Sequence, residues 1–498
     1  MIHLTFGQLI LSYLAVTTIL VGVTALPRTP SAIFRIPVFS ALVHVFFVVM
    51  SAVMVVQHGV ITAFAENILI DHLAFFHMVL VSFVFLFSSL YGTGYFRDGI
   101  ANGLFTASYA RRYSILWQIF ETMLTLVLLS NNFGFMWVSI EATTLVSAFL
   151  ILSPKDPLSI EAMWKYLLIC SVGIVFAFMG TMLTIAASRT VAESDAVYLF
   201  SHLIRNAGLI NGKIMLLAFI FIAIGYGTKA GLAPMHTWLP DAHSQAPTPV
   251  SAAFSSVMLN VALFCILRFL PVAEGALGGS GDARSLLLFF GIMSLVFAVI
   301  FMPVQFGMKR FLAYCSVEHL GIIAIGIALG GAGTFAALLH SANHACAKML
   351  SFFSVGQIDH RFGTRDMRVV RAALRYTPLW GVAFFIAVLA LLGVAPGALF
   401  FSELLLLRES FVTGHFAVFI FISVALLLIF ITALKNIMTA CFGDWTGTLH
   451  PVSRRPVADV LIAGVLLAAI IVPGLFLPNP IREFIVHAAQ IVDRGIPR

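Results

Sequence analysis

Seven ionisable residues stand where the surrounding sequence is almost wholly apolar: Lys229, Lys348, Lys435, Glu121, Glu141, Glu318 and Glu403. Three of the chain's other polar groups add a pattern to them. In "LLHSANHACAKMLSFF", His340, His344 and Lys348 follow one another at i, i+4 spacing and so share one helix face. Neutral imidazoles at that spacing relay protons to and from a lysine. His319, in "KRFLAYCSVEHLGII", extends the row if its helix packs alongside; alone it reads as a core histidine. Two histidines so spaced also bind zinc, but no third carboxylate or cysteine ligand is at hand in the sequence, and a cationic lysine opposes a metal. No metal and no catalytic residue is expected.

Two of the seven lie beside breaks in the helical pattern. Around Lys229 the chain reads "GYGTKAGLAPMHTWLPDAHSQAPTPVSAAFSS", where Pro234, Pro240, Pro247 and Pro249 deny a helix its backbone donors. Around Glu403 it reads "LLGVAPGALFFSELLLL", where Pro396 with Gly393 and Gly397 does the same. Interrupted helices in corresponding positions of two halves point to a transport site. Glu121 and Lys435 have no such context, and for them a structural role is an equally good reading.

The elements that position these residues follow from composition. Of 498 residues, 61% are hydrophobic and 10% charged, against about 25% charged in soluble domains, so the bilayer is the solvent. Spanning it takes about 20 apolar residues per helix. Apolar runs give an all-α, polytopic fold of about fourteen such helices, near 4–26, 37–60, 69–91, 113–131, 133–153, 165–188, 213–235, 247–270, 285–304, 311–330, 333–357, 378–402, 414–441 and 457–477. The breaks then fall in helices 7 and 12, the fourth of each of two repeats: helices 4 to 8 (111–272) and 9 to 13 (283–442). Residues 1–110 hold the first three helices and 443–498 the last helix and a tail. Residues 4–26 lack a basic n-region and a cleavage site, so they read as a span and not a signal peptide.

Basic residues set the orientation. The odd-numbered loops collect Arg28, Arg35, Arg97, Arg111, Arg112, Lys155, Lys165, Lys309, Arg310, the five arginines from Arg361 to Arg375, Arg454 and Arg455. The even loops hold only Arg189, Arg205, Lys213, Arg268, Arg284 and Arg408, and the tail Arg482, Arg494 and Arg498. The odd loops are therefore expected in the cytoplasm and both termini outside, in a bacterial inner membrane. The Arg361–Arg375 run reads equally as a partner surface or a topology anchor. Scattered as it is, the net charge of +7 signals no nucleic acid. Cys170, Cys265, Cys315, Cys346 and Cys441 form no CxxC pair, so no disulfide or cluster is signalled, and His44, His58, His72 and His77 lack a convincing haem-ligand arrangement. No cofactor is expected; any electron transfer belongs to a partner.

"GTKAGLAPMHTWLPDAHSQAPTPVSA", "KRFLAYCSVEHLG" and "HSANHACAK" resemble the signatures of the antiporter-like family: complex I membrane-arm subunits, multisubunit sodium/proton antiporters and membrane-bound hydrogenase subunits. "WVSIEATTLVSAFLI", "EAMWKYLLICSVG" and "FGTRDMRVV" look most like the hydrogenase 4 branch, that of formate-hydrogenlyase-type complexes. The resemblance covers roughly 110–440. It implies a Glu141–Lys229 pair in a first half-channel, Lys348 with His340 and His344 leading to a second, and Glu403 as its terminal carboxylate. It implies protons or sodium ions as cargo, with other membrane subunits and a peripheral cytoplasmic redox module as partners. A cation/proton antiporter or ion-driven importer without a redox partner is the alternative. One departure stands out: the complex I branch carries a lysine in helix 8, where this chain has Asn260, so the link between half-channels falls to water or His243.

Overall fold

The computed structural model describes residues 5–26, 30–153, 156–189, 196–452 and 456–496, with the side chains of 30–32 and 456 left aside. Arg28, Lys155, Arg454, Arg455 and Arg498 lie outside the described residues. The chain begins with α1 (Phe6–Ala25), α2 (Pro30–His58) and a small antiparallel hairpin, β1 (Ile61–Ala63) with β2 (Ile68–Ile70). It continues through α3 (His72–Ala101), α4 (Ala107–Leu129), α5 (Phe133–Ile151), α6 (Leu158–Ser188) and the short α7 (Phe200–Arg205). Next come α8 (Gly212–Ala230), α9 (Leu239–Gln245), α10 (Thr248–Ala253), a π-helical turn at Phe254–Met258 and α11 (Leu259–Ala276). The second half holds α12 (Asp282–Phe301), α13 (Met308–Leu329), α14 (Ala332–Phe362), α15 (Ala373–Tyr376), α16 (Pro378–Leu391), α17 (Ala398–Val412) and α18 (Phe416–Cys441). α19 (Pro456–Leu475) and α20 (Asn479–Arg494) close the chain.

Each of the apolar runs carries helix, and among the described residues eleven helical stretches are long and apolar enough to cross a membrane. Of the remaining runs, α16 is an apolar helix of 14 residues, while α4 with Arg111, Gln118 and Glu121 and α14 with His340, His344 and Lys348 are more polar. From α10 through α11 every residue up to Ala273 is buried, whereas α1, α18 and α19 turn most of their surface outward. Most of their exposed residues, Ile19, Leu427 and Leu461 among them, are apolar, as lipid contact demands.

Small residues let the central helices approach closely. A Cβ at Gly173 of α6 would meet the Thr228 side chain at 2.6 Å, and one at Gly225 of α8 would run into the Ala177 backbone. α20 is amphipathic and lies against the ends of its neighbours. Its Asp493 accepts from Arg284 (2.9 Å), Thr334 (2.7 Å) and the Gly331 backbone (3.0 Å). The arginines between 361 and 375 are occupied within the chain: Arg361 on the His450 carbonyl, Arg365 on that of Ser244, and Arg368 on Asp366. Arg361 and Arg365 thereby tie separate loops together.

Gly225→Ala is expected to lower stability by about 1–3 kcal/mol, as overpacking does, read as a drop in the unfolding temperature in detergent. Gly22→Ala and Gly464→Ala, whose new methyls meet nothing within 4 Å, should not lower stability and should gain up to about 1 kcal/mol, as alanine does over glycine inside a helix.

Candidate ion-translocation site

Lys229 lies in the last turn of α8, fully buried. The helix ends there because Gly231 adopts φ +79° and the chain then passes through the cis Ala233–Pro234 bond. At membrane depth the freed backbone groups need partners. Trp238 Nε1 donates to the Thr228 carbonyl (2.8 Å), and the Ala233 amide donates to Ser294 Oγ (2.9 Å). The Lys229 ammonium reaches α5, donating to Thr144 Oγ1 (2.5 Å) and the Ile140 carbonyl (3.3 Å). Glu141 is its electrostatic neighbour but not its direct partner: Glu141 Oε1 accepts from Ser171 of α6 at 2.9 Å and Oε2 has no hydrogen bond.

In the second half, α13, α14 and α17 bring the other predicted residues together. Lys348 Nζ donates to the Leu312 carbonyl of α13 (2.6 Å), and Glu318, also on α13, is an electrostatic neighbour. His319 Nδ1 and His340 Nε2 share a hydrogen bond of 2.9 Å, and His340 Nδ1 meets Ser402 Oγ of α17 at 2.9 Å. Both His340 nitrogens are therefore engaged, one toward α13 and one toward α17, the arrangement a proton relay needs. His344 packs its ring 4.9 Å from that of His319, with neither nitrogen hydrogen-bonded. Glu403 is buried against the second break, between α16 and α17, where Ala395–Pro396 is cis and Gly393 has φ +68°. A side chain at Gly393 would collide with Glu403 Oε2, so glycine makes room for the carboxylate.

The structure corrects one expectation. A carboxylate is at hand after all: ligand atoms of His319, His340 and Glu403 lie within 4.8 Å of one another, as do those of Cys315, Glu318 and His319. The fold recruits the first set from three helices, α13, α14 and α17, which spacing along one helix does not reveal; the second lies on α13 alone. In the first group the facing nitrogens of His319 and His340 already bond to each other, which suits a proton better than a metal.

Between the halves lies the π-helical turn, a device common at functional sites. Ser255 meets Ser316 of α13 (2.7 Å), Ser256 donates to the Ala345 carbonyl of α14 (2.9 Å), and Tyr166 Oη reaches Met258 Sδ (3.6 Å). Asn260 donates to the Ser256 carbonyl and leaves Oδ1 free of hydrogen bonds. His243 is fully buried, stacked on Phe352 of α14, and neither ring nitrogen is bonded.

Residues 130–432 match the family described as NADH:quinone oxidoreductase/Mrp antiporter, transmembrane. A Hydrogenase-4 component F homolog of Methylacidiphilum infernorum is 37% identical over 345 residues, covering 69% of this chain and 72% of its own. The chain belongs to this family. Hydrogenase-4 component B of Escherichia coli is 32% identical over 349 residues, 67% of this chain and 49% of its own length. Among solved structures, the membrane-bound sulfane sulfur reductase, an archaeal respiratory membrane complex, gives a TM-score of 0.84 at 21% identity, over 98% of both chains. The Mrp complex from Dietzia gives 0.83 at 18% identity, over 98% of this chain and 97% of that one. Those two likenesses establish the antiporter-like fold.

Counting charges by loop misplaced two basic residues. Arg268, assigned to an even loop, is buried within α11 and holds Asp71, the cap of α3, through two hydrogen bonds of 2.5 and 3.0 Å. Its guanidinium also lies 4.8 Å from the ring of Phe200 and 4.7 Å from that of Phe264. Lys309, assigned to an odd loop, is buried in the first turn of α13 and donates to the Ala246 carbonyl (2.9 Å). Arg268 stands just before the expected helix end at 270, but α11 runs on to Ala276; Lys309 stands just before the expected start at 311, but α13 begins at Met308. Lys435 moves the other way: its side chain is on the exposed face of α18 and belongs to no buried path.

Arg268→Ala should strand the Asp71 carboxylate in the interior and cost about 3–5 kcal/mol. Arg268→Lys should recover only part of it, since an ammonium does not reproduce a two-pronged contact. Unfolding temperature in detergent reads both, and equal stability of the alanine variant would show the pair to be dispensable.

Proposed function

We propose that this chain moves protons across a membrane as a subunit of a redox-driven respiratory complex of the energy-converting hydrogenase or complex I type. One observation carries the reading: Lys229, Lys348, Glu318, His319, His340, His344 and Glu403 are all buried in the helical interior, where unneeded charges are not retained. Several of their polar atoms, on Glu318, His319, His344 and Glu403, have no protein partner, which suits groups that bind and release protons through water. Imidazoles as links favour protons over sodium, which takes oxygen ligands, as hard cations do.

In this reading Glu141 and Lys229 serve the first half-channel. Lys348, His319 and His340 serve the second, and Glu403 is its terminal carboxylate. His243 and hydrated Asn260 join the two, and the interrupted helices with Pro234 and Pro396 mark the fourth helix of each of two inverted repeats. The odd loops face the cytoplasm of a bacterial cell, both termini face outward, and a peripheral redox module with further membrane subunits supplies the energy. The full-length likeness to a chain of an Mrp complex favours a second reading, a cation/proton antiporter without redox partner. Redox cofactors in the complex that copurifies with this chain decide between the two.

Lys229→Ala should abolish proton uptake into vesicles carrying the complex while subunit composition stays intact; surviving transport would remove Lys229 from the path. For Glu403, aspartate should retain part of the transport and glutamine almost none, because the role needs a group that loses and regains a proton. Full transport by Glu403→Gln would reduce that residue to a structural one.

A further inference from the structure

Neither half-channel uses the seam between α1, α2 and α4, yet it is among the most polar parts of the interior. Arg111, Ser114, Gln118, Glu121 and Thr125 recur at three- and four-residue spacing along one face of α4. Across from them stand Tyr13, Thr17 and Thr24 of α1 and Ser40 and His44 of α2, all buried. Gln118 Nε2 donates to Thr24 Oγ1 (3.0 Å), and Thr125 Oγ1 meets His44 Nε2 (2.9 Å). His44 Nδ1 lies 3.7 Å from Glu121 Oε1, and Ser40 Oγ is 3.5 Å from Glu121 Oε2. His44 is the one ion-pair partner of Glu121 among the described residues, and Tyr13 faces the pair from α1.

Many polar atoms in this seam lack a partner. Arg111 Nε, Ser114 Oγ, Gln118 Oε1, Glu121 Oε1, His44 Nδ1 and Tyr13 Oη are buried without a hydrogen bond. Buried polar atoms are nearly always bonded, to ordered water where no protein group serves. Six in one seam therefore call for a file of water. Among the described residues the file has one open end. Arg111, half-buried, stands one turn from the start of α4, beside the loop that follows α3. Beyond His44 and Thr125 the same helices offer Phe6, Leu9, Phe47, Val48 and Leu128, apolar and buried. Glu121 and Glu141 each stand ten residues from Asn131 in the turn joining α4 to α5, which sets both about 15 Å along their helices from it, at one depth.

We propose that the α1–α2–α4 seam is a third, blind proton path, hydrated from the α3–α4 loop and ending on the His44–Glu121 pair, which takes up and returns one proton. The proton passes from water to the Glu121 carboxylate or to His44 Nδ1 and leaves by the same route; no other bond changes. A single carboxylate with an imidazole offers too few oxygens for a metal cation. The site is independent of transport through Lys229, so Lys229→Ala must leave it in place.

Two measurements on the complex isolated with this chain test it. Infrared titration should show one carboxyl band that appears and disappears reversibly with pH, vanishes in Glu121→Gln, shifts in Glu121→Asp and persists in Lys229→Ala. In vesicles of defined sidedness, a small membrane-impermeant thiol reagent should label Ser114→Cys and Gln118→Cys several-fold faster from the α3–α4 loop side than from the other. Leu128→Cys should stay at the background of the unsubstituted chain from both sides. No titrating band assignable to Glu121, or labelling of Ser114→Cys and Gln118→Cys no faster than of Leu128→Cys, would make the seam a dry structural contact and overturn the proposal.

Discussion

Each buried lysine among the described residues rests on a main-chain carbonyl of a neighbouring segment. Lys229 takes that of Ile140, Lys348 that of Leu312 and Lys309 that of Ala246. None of the three has a carboxylate within 4 Å among the described residues. A carbonyl accepts from an amine as well as from an ammonium, so the side chain keeps its place whether or not it carries the extra proton. A tight ion pair would instead bind the proton and the position together, as Arg268 and Asp71 do. The contrast separates groups that can exchange a proton from groups that hold helices together.

The same constraint governs the backbone. Lipid offers no hydrogen bonds, so a helix can break at depth only where side chains of other helices receive the freed groups. Ser294 and Trp238 do so at the first break; after the second, Asn343 of α14 ties down the start of α17 by donating to the Ala398 carbonyl at 3.2 Å. These contacts fix Lys229 and Glu403 beside irregular backbone and bind the breaks to neighbouring helices, of which α14 carries other buried ionisable residues. The π-helical turn adds a register shift between the halves, aiming Ser255 at α13 and Ser256 at α14.

Much of this was legible in the sequence, because the bilayer forces apolar runs and makes every interior charge conspicuous. Lys229, Lys348, Glu403 and the histidines stood out for that reason, and prolines exposed both breaks. What spacing along one helix cannot reveal is which helices meet. The convergence of His319, His340 and Glu403 depends on α13, α14 and α17 packing together. Arg268 and Lys309 near helix ends passed for loop anchors, and the π-helical turn leaves no mark that a run of small residues would not also leave. Glu121 was visible as a charge, but its partner His44 comes from a helix read only for haem ligands.

The central claim is that the row from Lys229 to Glu403 is a hydrated path and not a set of static polar contacts. A cryo-electron microscopy map of the whole complex at a resolution that shows water tests it most directly. The account predicts ordered waters at hydrogen-bonding distance, about 2.6–3.2 Å, from His243, Asn260, Glu318, His344 and Glu403, the groups left without protein partners. Those atoms enclosed by packed side chains, with no water along the row, would contradict it.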